Sequence, residues 1–159
     1  KGGIAPLIAL LSDNSEIVKE ISSVLLCFLS ADLNIVVEIV QKGGIVPLIA
    51  ILRRGSDKCK EGAAAAIYKL SDICEVRAEI ARKGGIVALV ALLRDGRMEG
   101  KSCAAAILQL FSNDAEHAVL IWKLGAVSLL ISLLQSQVTL VRTAAAHILC
   151  NISQILEQN

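Results

Sequence analysis

Residues 42–52 read KGGIVPLIAIL: a Gly-Gly pair, an apolar turn carrying Pro47, and an amphipathic run. The weight of this stretch lies in its recurrence. KGGIAPLIALL opens the chain, KGGIVALVALL begins at Lys83, and LGAVSLLISLL begins at Leu124. The leading glycines are Gly2, Gly43, Gly84 and Gly125, a constant step of 41 residues without a gap. A fixed period of this size is the mark of a helical solenoid, in which each unit buries its apolar face only against its neighbours. The 159 residues therefore read as one continuous domain, 1–159, of just under four units: about 1–41, 42–82, 83–123 and 124–159. The first unit lacks the short helix that leads into the others.

Composition agrees with close helix packing. Hydrophobic residues make up 55% of the chain and aromatic residues only 3%. The core is therefore built from Leu, Ile, Val and Ala. A net charge of +1 supplies no long-range field toward nucleic acid or an anionic membrane. Mean hydropathy is high, at +0.65. The longest uncharged run, Leu124–Val141, is nevertheless broken by Ser128, Ser132, Gln135, Ser136, Gln137 and Thr139. It reads as a helix, a polar turn and the start of another helix rather than a span of about 20 apolar residues. No signal-peptide pattern opens the sequence. The five cysteines, Cys27, Cys59, Cys74, Cys103 and Cys150, form no C-x-x-C pair. Free thiols in a reducing compartment, cytoplasmic or nuclear, fit this number and spacing better than disulfides or a zinc site.

Three helices per period are predicted. In the first unit Ile4–Leu11 forms a helix with Pro6 in its first turn, where a missing N–H costs nothing. Ser12–Ser15 is a turn and cap, and Glu16–Ser30 is a longer helix with Ser22, Leu25, Leu26 and Leu29 on its buried face. The second unit adds the short helix Asn34–Gln41, with Ile35 and Ile39 inward. A glycine corner, a helix with Ile45, Leu48, Ile49 and Leu52 inward, and a third helix with Ala63, Ala66, Ile67 and Leu70 inward then follow. The third unit repeats the plan with Val76 and Ile80, Ile86–Arg94, and Met98–Ser112 burying Ala104, Ile107, Leu108 and Phe111. The fourth has His117 and Ile121, Ala126–Leu134, and Thr139–Leu156 burying Ala145, Ile148, Leu149 and Ile152.

The segments GGIVPLIAILRRGSDKCKEGAAAAIYKLS and GGIVALVALLRDGRMEGKSCAAAILQLFS resemble armadillo repeats. The likeness covers nearly the whole chain: a Gly corner, a P-L-(I/V)-x-(I/L)-L run, a polar turn, then a small-residue helix ending in L-S. It implies an all-α, right-handed solenoid of about four repeats, with the third helices lining a concave groove. HEAT repeats usually read as two helices, without this corner. The turns RRGSDKCKEGAAAA and LRDGRMEGKSCAAA also resemble arrays beside U-box domains in plant ubiquitin ligases, and similar turns occur in protist armadillo proteins. That implies substrate recognition within a ligase as one context.

In armadillo arrays the third helix carries an asparagine ladder that holds an extended peptide. The matching positions here are Phe28, Lys69, Leu110 and Asn151, and only the last fits. One turn earlier, where import adaptors place tryptophan, stand Val24, Ala65, Ala106 and His147. One further turn back are Glu20, Glu61, Ser102 and Thr143. The resemblance thus implies a groove formed by these twelve residues, disfavours an import-type reader of basic peptides, and leaves a protein or peptide partner. An open face in the first unit, at Ile4, Leu7 and Leu11, predicts that the chain is part of a longer array or associates with a partner or second copy. Gln154, Glu157, Gln158 and Asn159 predict a more polar finish at the other end.

No catalytic set emerges. His117 reads as a snorkelling surface histidine, His147 with Asn151 as a hydrogen-bonding patch, and Trp122 as packing between units. Arg53, Arg54, Lys58 and Lys60 form a solvated corner offset by Asp57 and Glu61. The glycine pairs match no phosphate-binding loop. The expected function is a non-catalytic protein–protein scaffold with no metal, cofactor, small-molecule substrate, nucleic acid or membrane partner.

Overall fold

The computed structural model describes residues 2–159, and Lys1 lies outside them. The described chain is helical throughout, with eleven helices joined by short turns. Its residues fall into two compact units, one ending at Gly85 and the other running from Ile86 to Asn159.

The first unit contains α1 (Ile4–Leu10), α2 (Glu16–Leu29), α3 (Leu33–Gln41), α4 (Ile45–Arg54), α5 (Asp57–Leu70) and α6 (Cys74–Arg82). Helix α5 packs against α2 and α4, and α1 against α2 and α3. Short polar side chains start the helices. Ser15 Oγ accepts from the Val18 N–H, Asp32 Oδ1 from that of Asn34 (2.8 Å), and Ser56 Oγ from that of Cys59 (3.3 Å). Such caps satisfy donors that the helix itself leaves open. The second unit contains α7 (Gly85–Asp95, its first residue apart), α8 (Met98–Phe111), α9 (Ala115–Lys123), α10 (Ala126–Leu133) and α11 (Thr139–Glu157). Helix α11 packs against α8, α9 and α10.

The glycine corners explain the period physically. Gly2, Gly43, Gly84 and Gly125 all have φ between 76° and 102°, the left-handed region that a side chain disfavours. The second glycine does a different job. A Cβ on Gly44 would sit 2.6 Å from Ile39 Cγ2 and 3.1 Å from the Ile39 carbonyl oxygen, so the short helix α3 comes down directly onto the corner.

The buried faces match the 3.6-residue pattern at most positions. Ile45, Leu48, Ile49, Leu52, Ala63, Ala66, Ile67, Leu70, Ala104, Ile107, Leu108 and Phe111 are all buried. The serines that end the repeat motif, Ser30, Ser71 and Ser112, are buried as well. Each hydroxyl donates back to a carbonyl of its own helix, that of Leu26, Ile67 or Gln109, so none is left unsatisfied.

Several expectations are corrected. Leu25 is 42% exposed, and Leu26 beside it is the buried leucine of this turn. In α3 the inward residue is Val36 beside Ile39, and Ile35 is only half-buried. Leu149 is also half-buried. Ile4 and Leu11 are buried, so the first unit is less open than expected, although Leu7 stays half-exposed. The polar finish is incomplete. Ile131 (54% exposed) and Leu134 on or just after α10 are uncovered, whereas their counterparts one period earlier, Val90 and Leu93, are buried. Trp122 is exposed on α9 rather than packed. His117 does not snorkel. Its side chain is 17% exposed and its ring lies 5.4 Å from that of Phe111, with Nδ1 buried 3.8 Å from Asp114 Oδ1, beyond hydrogen-bond reach. The Asp114 carboxylate instead caps α9 by accepting from the His117 backbone N–H.

Candidate partner-binding site

The twelve groove positions lie on the third helices of the repeats: α2, α5, α8 and α11. None of them is fully buried. Each compact unit carries two of these helices packed together, so each presents one face.

In the first unit the face is formed by α2 and α5. Gly62 lets them approach closely, since a Cβ there would stand 3.2 Å from Ser23 Cβ and 3.5 Å from Val24 Cγ2. Phe28 is 75% exposed, Val24 is exposed, and Ile17 and Ile21 extend the same stripe along α2. Positions 17, 21, 24 and 28 follow helical spacing, so they share one side of the helix. Glu20 and Glu61 are half-buried beside this stripe, Ala65 is half-buried, and Lys69 is exposed. The result is an apolar ridge edged by charges of both signs.

Hydrogen bonds to Glu16 tie the start of α5 to the start of α2. Glu16 Oε1 meets Lys19 Nζ at 2.7 Å, and Glu16 Oε2 accepts from the Ser56 N–H at 3.0 Å. The Lys19 ammonium, then the Ser56 N–H, hold the Glu16 carboxyl down at about 2, against its usual 4.5. The Cys59 thiol donates to the Glu16 carbonyl oxygen, and burial pushes its pKa up. Burial raises Cys27 in the same way. Both thiols are therefore poor nucleophiles.

In the second unit the face is formed by α8 and α11, and it is polar. Gln109 Nε2 and His147 Nδ1 are 2.6 Å apart. The Asn151 amide donates to Ser112 Oγ at 2.9 Å and to Asn113 Oδ1 at 3.2 Å. Ser112 in turn donates to the Gln109 carbonyl oxygen at 2.8 Å. With Gln109 donating, the neutral imidazole accepts at Nδ1 and carries its proton on Nε2. Asn151 spends both amide hydrogens on α8 and its C-terminal turn, which leaves Oδ1 as an acceptor. Thr143 is exposed, with its hydroxyl bonded to the Thr139 carbonyl, while Ser102, Ala106 and Leu110 are half-buried.

Sequence reasoning placed His147 and Asn151 together but missed Gln109, Ser112 and Asn113. Stepping by one full period compares equivalent positions, whereas touching residues on stacked helices are separated by 38 or 39 residues. A search at slightly less than the period would have found them. Among the described residues, no group of three or more His, Cys, Asp or Glu is arranged to hold a metal ion. No single helix there is long and apolar enough to cross a membrane; two bent helix pairs reach the required length and composition only together.

Stacked three-helix units with glycine corners at a constant period define a helical-repeat solenoid protein. Comparison with known proteins makes the class specific. The armadillo/beta-catenin-like repeat family matches residues 114–154. A designed armadillo repeat protein, YIII(Dq)4CqI, superposes over 95% of this chain with a TM-score of 0.88 at 25% identity. A computationally designed armadillo repeat protein for modular peptide recognition superposes over 99% with a TM-score of 0.89 at 24% identity. A third, YIII(Dq.V1)4CPAF in complex with the peptide (KR)4, superposes over 99% with a TM-score of 0.87 at 23% identity. The chain spans 65%, 69% and 70% of these three proteins respectively. No curated protein matches it in sequence. The chain has the armadillo-repeat fold, and its residues 114–154 match the armadillo/beta-catenin-like repeat family.

Proposed function

We propose that this chain is a non-catalytic interaction scaffold that holds a peptide or helix of a partner protein against its third-helix faces. The observation that carries this reading is the polar cluster on α8 and α11. After these bonds are made, His147 keeps its Nε2–H as a donor and Asn151 its Oδ1 as an acceptor. These residues are one helical turn apart, about 6 Å along the axis. An extended peptide repeats its same-side backbone groups about every 6.6 Å. A strand-like ligand can thus give one carbonyl and one N–H to this pair. On α2, Phe28 and Val24 offer a large apolar contact of the kind that anchors a partner side chain. Support by likeness comes from the designed armadillo protein whose structure holds a (KR)4 peptide.

The absence of an asparagine or tryptophan ladder disfavours import-type reading of basic peptides. Substrate selection within a ubiquitin ligase remains a context suggested by the turn sequences. We assign the protein to the cytoplasm or nucleus, because its five cysteines include no C-x-x-C pair, and regard residues 1–159 as one functional domain.

The test is selection of binders from a displayed peptide library, followed by titration against Asn151→Ala and Phe28→Glu. Both variants must first show wild-type helical circular dichroism. Selected peptides are expected to lose affinity for at least one variant. Peptides that bind both variants as well as wild type remove these faces from the interaction.

A further inference from the structure

The turn between α4 and α5 carries a charge pattern that the groove reading leaves unused. It reads Arg53-Arg54-Gly55-Ser56, so two arginines stand three and two residues before a serine. Ser56 is the only serine or threonine in the sequence with an arginine at either of those places. Lysines stand there for Ser22 and Ser71, but both of those serines are buried. Arg53, Arg54 and Ser56 are all exposed.

The backbone around the serine suits a groove that takes its substrate extended. Gly55 has φ −72° and ψ 166°, and Ser56 has φ −62° and ψ 164°. Arg53 makes one long, exposed bond, 3.4 Å from Nη2 to the Gly84 carbonyl oxygen. Ser56 itself joins two helices. Its Oγ accepts from the Cys59 N–H at 3.3 Å, capping α5, and its own N–H donates to Glu16 Oε2 of α2 at 3.0 Å.

We infer that Ser56 is a phosphorylation site for a serine kinase that reads paired arginines, and that the phosphate detaches the start of α5 from Glu16. Such an enzyme holds the arginines with acidic side chains in its substrate groove. In the transfer, Ser56 Oγ bonds to the γ-phosphorus of ATP as the bond from that phosphorus to the ADP oxygen breaks. The hydroxyl proton passes to a carboxylate base of the kinase. The product carries a charge of about −1.5 to −2 at pH 7. The Ser56 hydroxyl is one of the groups that hold the Glu16 carboxyl low, so the new charge falls against a carboxylate that is already ionised. Repulsion opposes the Glu16–Ser56 bond. Lys19, which pairs with Glu16, and the first N–H groups of α5 offer the phosphate opposite charge instead. The modification therefore acts on the contact between α2 and α5, the two helices that form the first unit's binding face.

The test incubates the folded protein with ATP and the catalytic subunit of a cyclic-AMP-dependent serine kinase, beside a synthetic peptide of residues 51–60. Intact mass is expected to show one phosphate on the folded protein, and fragmentation to place it on Ser56. Ser56→Ala should take up none. Arg53→Ala/Arg54→Ala, which changes only exposed side chains and should keep the helical circular dichroism, should slow uptake about tenfold or more. In the phosphorylated protein, carbon NMR should show the Glu16 carboxyl titrating at higher pH than in the unmodified protein. Phosphate on the peptide but not on the folded protein, phosphate on another residue, no phosphate at all, or an unchanged rate without the arginines would each overturn the site. An unchanged Glu16 titration in protein phosphorylated at Ser56 would overturn the detachment.

Discussion

Helices α2 and α11 occupy the same place in the repeat, yet they present opposite chemistry. At matching positions α2 has Val24 and Phe28, whereas α11 has His147 and Asn151. Their inner faces both stay aliphatic, with a shifted edge: α2 buries Leu26 and exposes Leu25, whereas α11 buries Ile148, the counterpart of Leu25, and leaves Leu149, the counterpart of Leu26, half-buried. The lesson is that the solenoid fixes its inward stripe and leaves the adjacent stripe free to vary. Packing constrains volume to within about a methylene group, while a solvated position loses little by substitution.

The largest expected contrast lies between the two phenylalanines. Phe111 is fully buried, and Phe111→Ala should cost about 3–5 kcal/mol of stability. Phe28→Ala should change stability by less than about 0.5 kcal/mol while reducing partner affinity. Urea unfolding of both variants checks this. A large loss at Phe28 would mean that it belongs to the core rather than to a binding face.

Next come the corners. Gly44→Ala drives a Cβ into Ile39 and should destabilise by about 1–3 kcal/mol, whereas Gly3→Ala should be nearly neutral. Thermal melts of the pair measure the difference between a covered and an uncovered corner. Similar melting temperatures would show that the contact at Gly44 is relieved by a small shift.

On the polar face, Asn151→Ala removes two bonds to α8 and its turn and should cost about 1 kcal/mol. Asn151→Asp keeps the acceptor but loses both donors, so it should recover little stability. Recovery close to wild type would assign the effect to side-chain volume instead.

The smallest effect is electrostatic. The Glu16 carboxyl is held near 2 in the folded chain and returns to about 4.5 when unfolded. Its contribution is therefore complete above about pH 4.5 and fades as pH falls toward 2. Glu16 is solvent-exposed, so the effect is screened. Melting curves from pH 6 to pH 2 should fall less steeply for Glu16→Gln than for wild type, and parallel curves would discount the ion pair.

How much of this was legible beforehand differs by residue. The corner glycines, the Ala63–Leu70 stripe and the Ser12–Ser15 cap were readable, because local backbone sterics and helical spacing act within a few residues. Ile35 and Leu25 were misassigned for one reason. Periodicity gives a face about 100° wide, and only the angle at which neighbouring helices meet decides which edge of that face is covered. His117 was misjudged because nothing nearby in sequence announces that its ring will lie on Phe111.

The sequence by itself determined the period, the three-helix unit, and the identities of Val24, Phe28, His147 and Asn151. Tertiary structure alone decided that Asn151 turns both its donors to α8 and its C-terminal turn, that Gln109 engages His147, and how closely Ile39 of α3 approaches Gly44. These are distances between residues on different helices. They depend on how closely two backbones approach, which small residues such as Gly62 permit but do not by themselves specify.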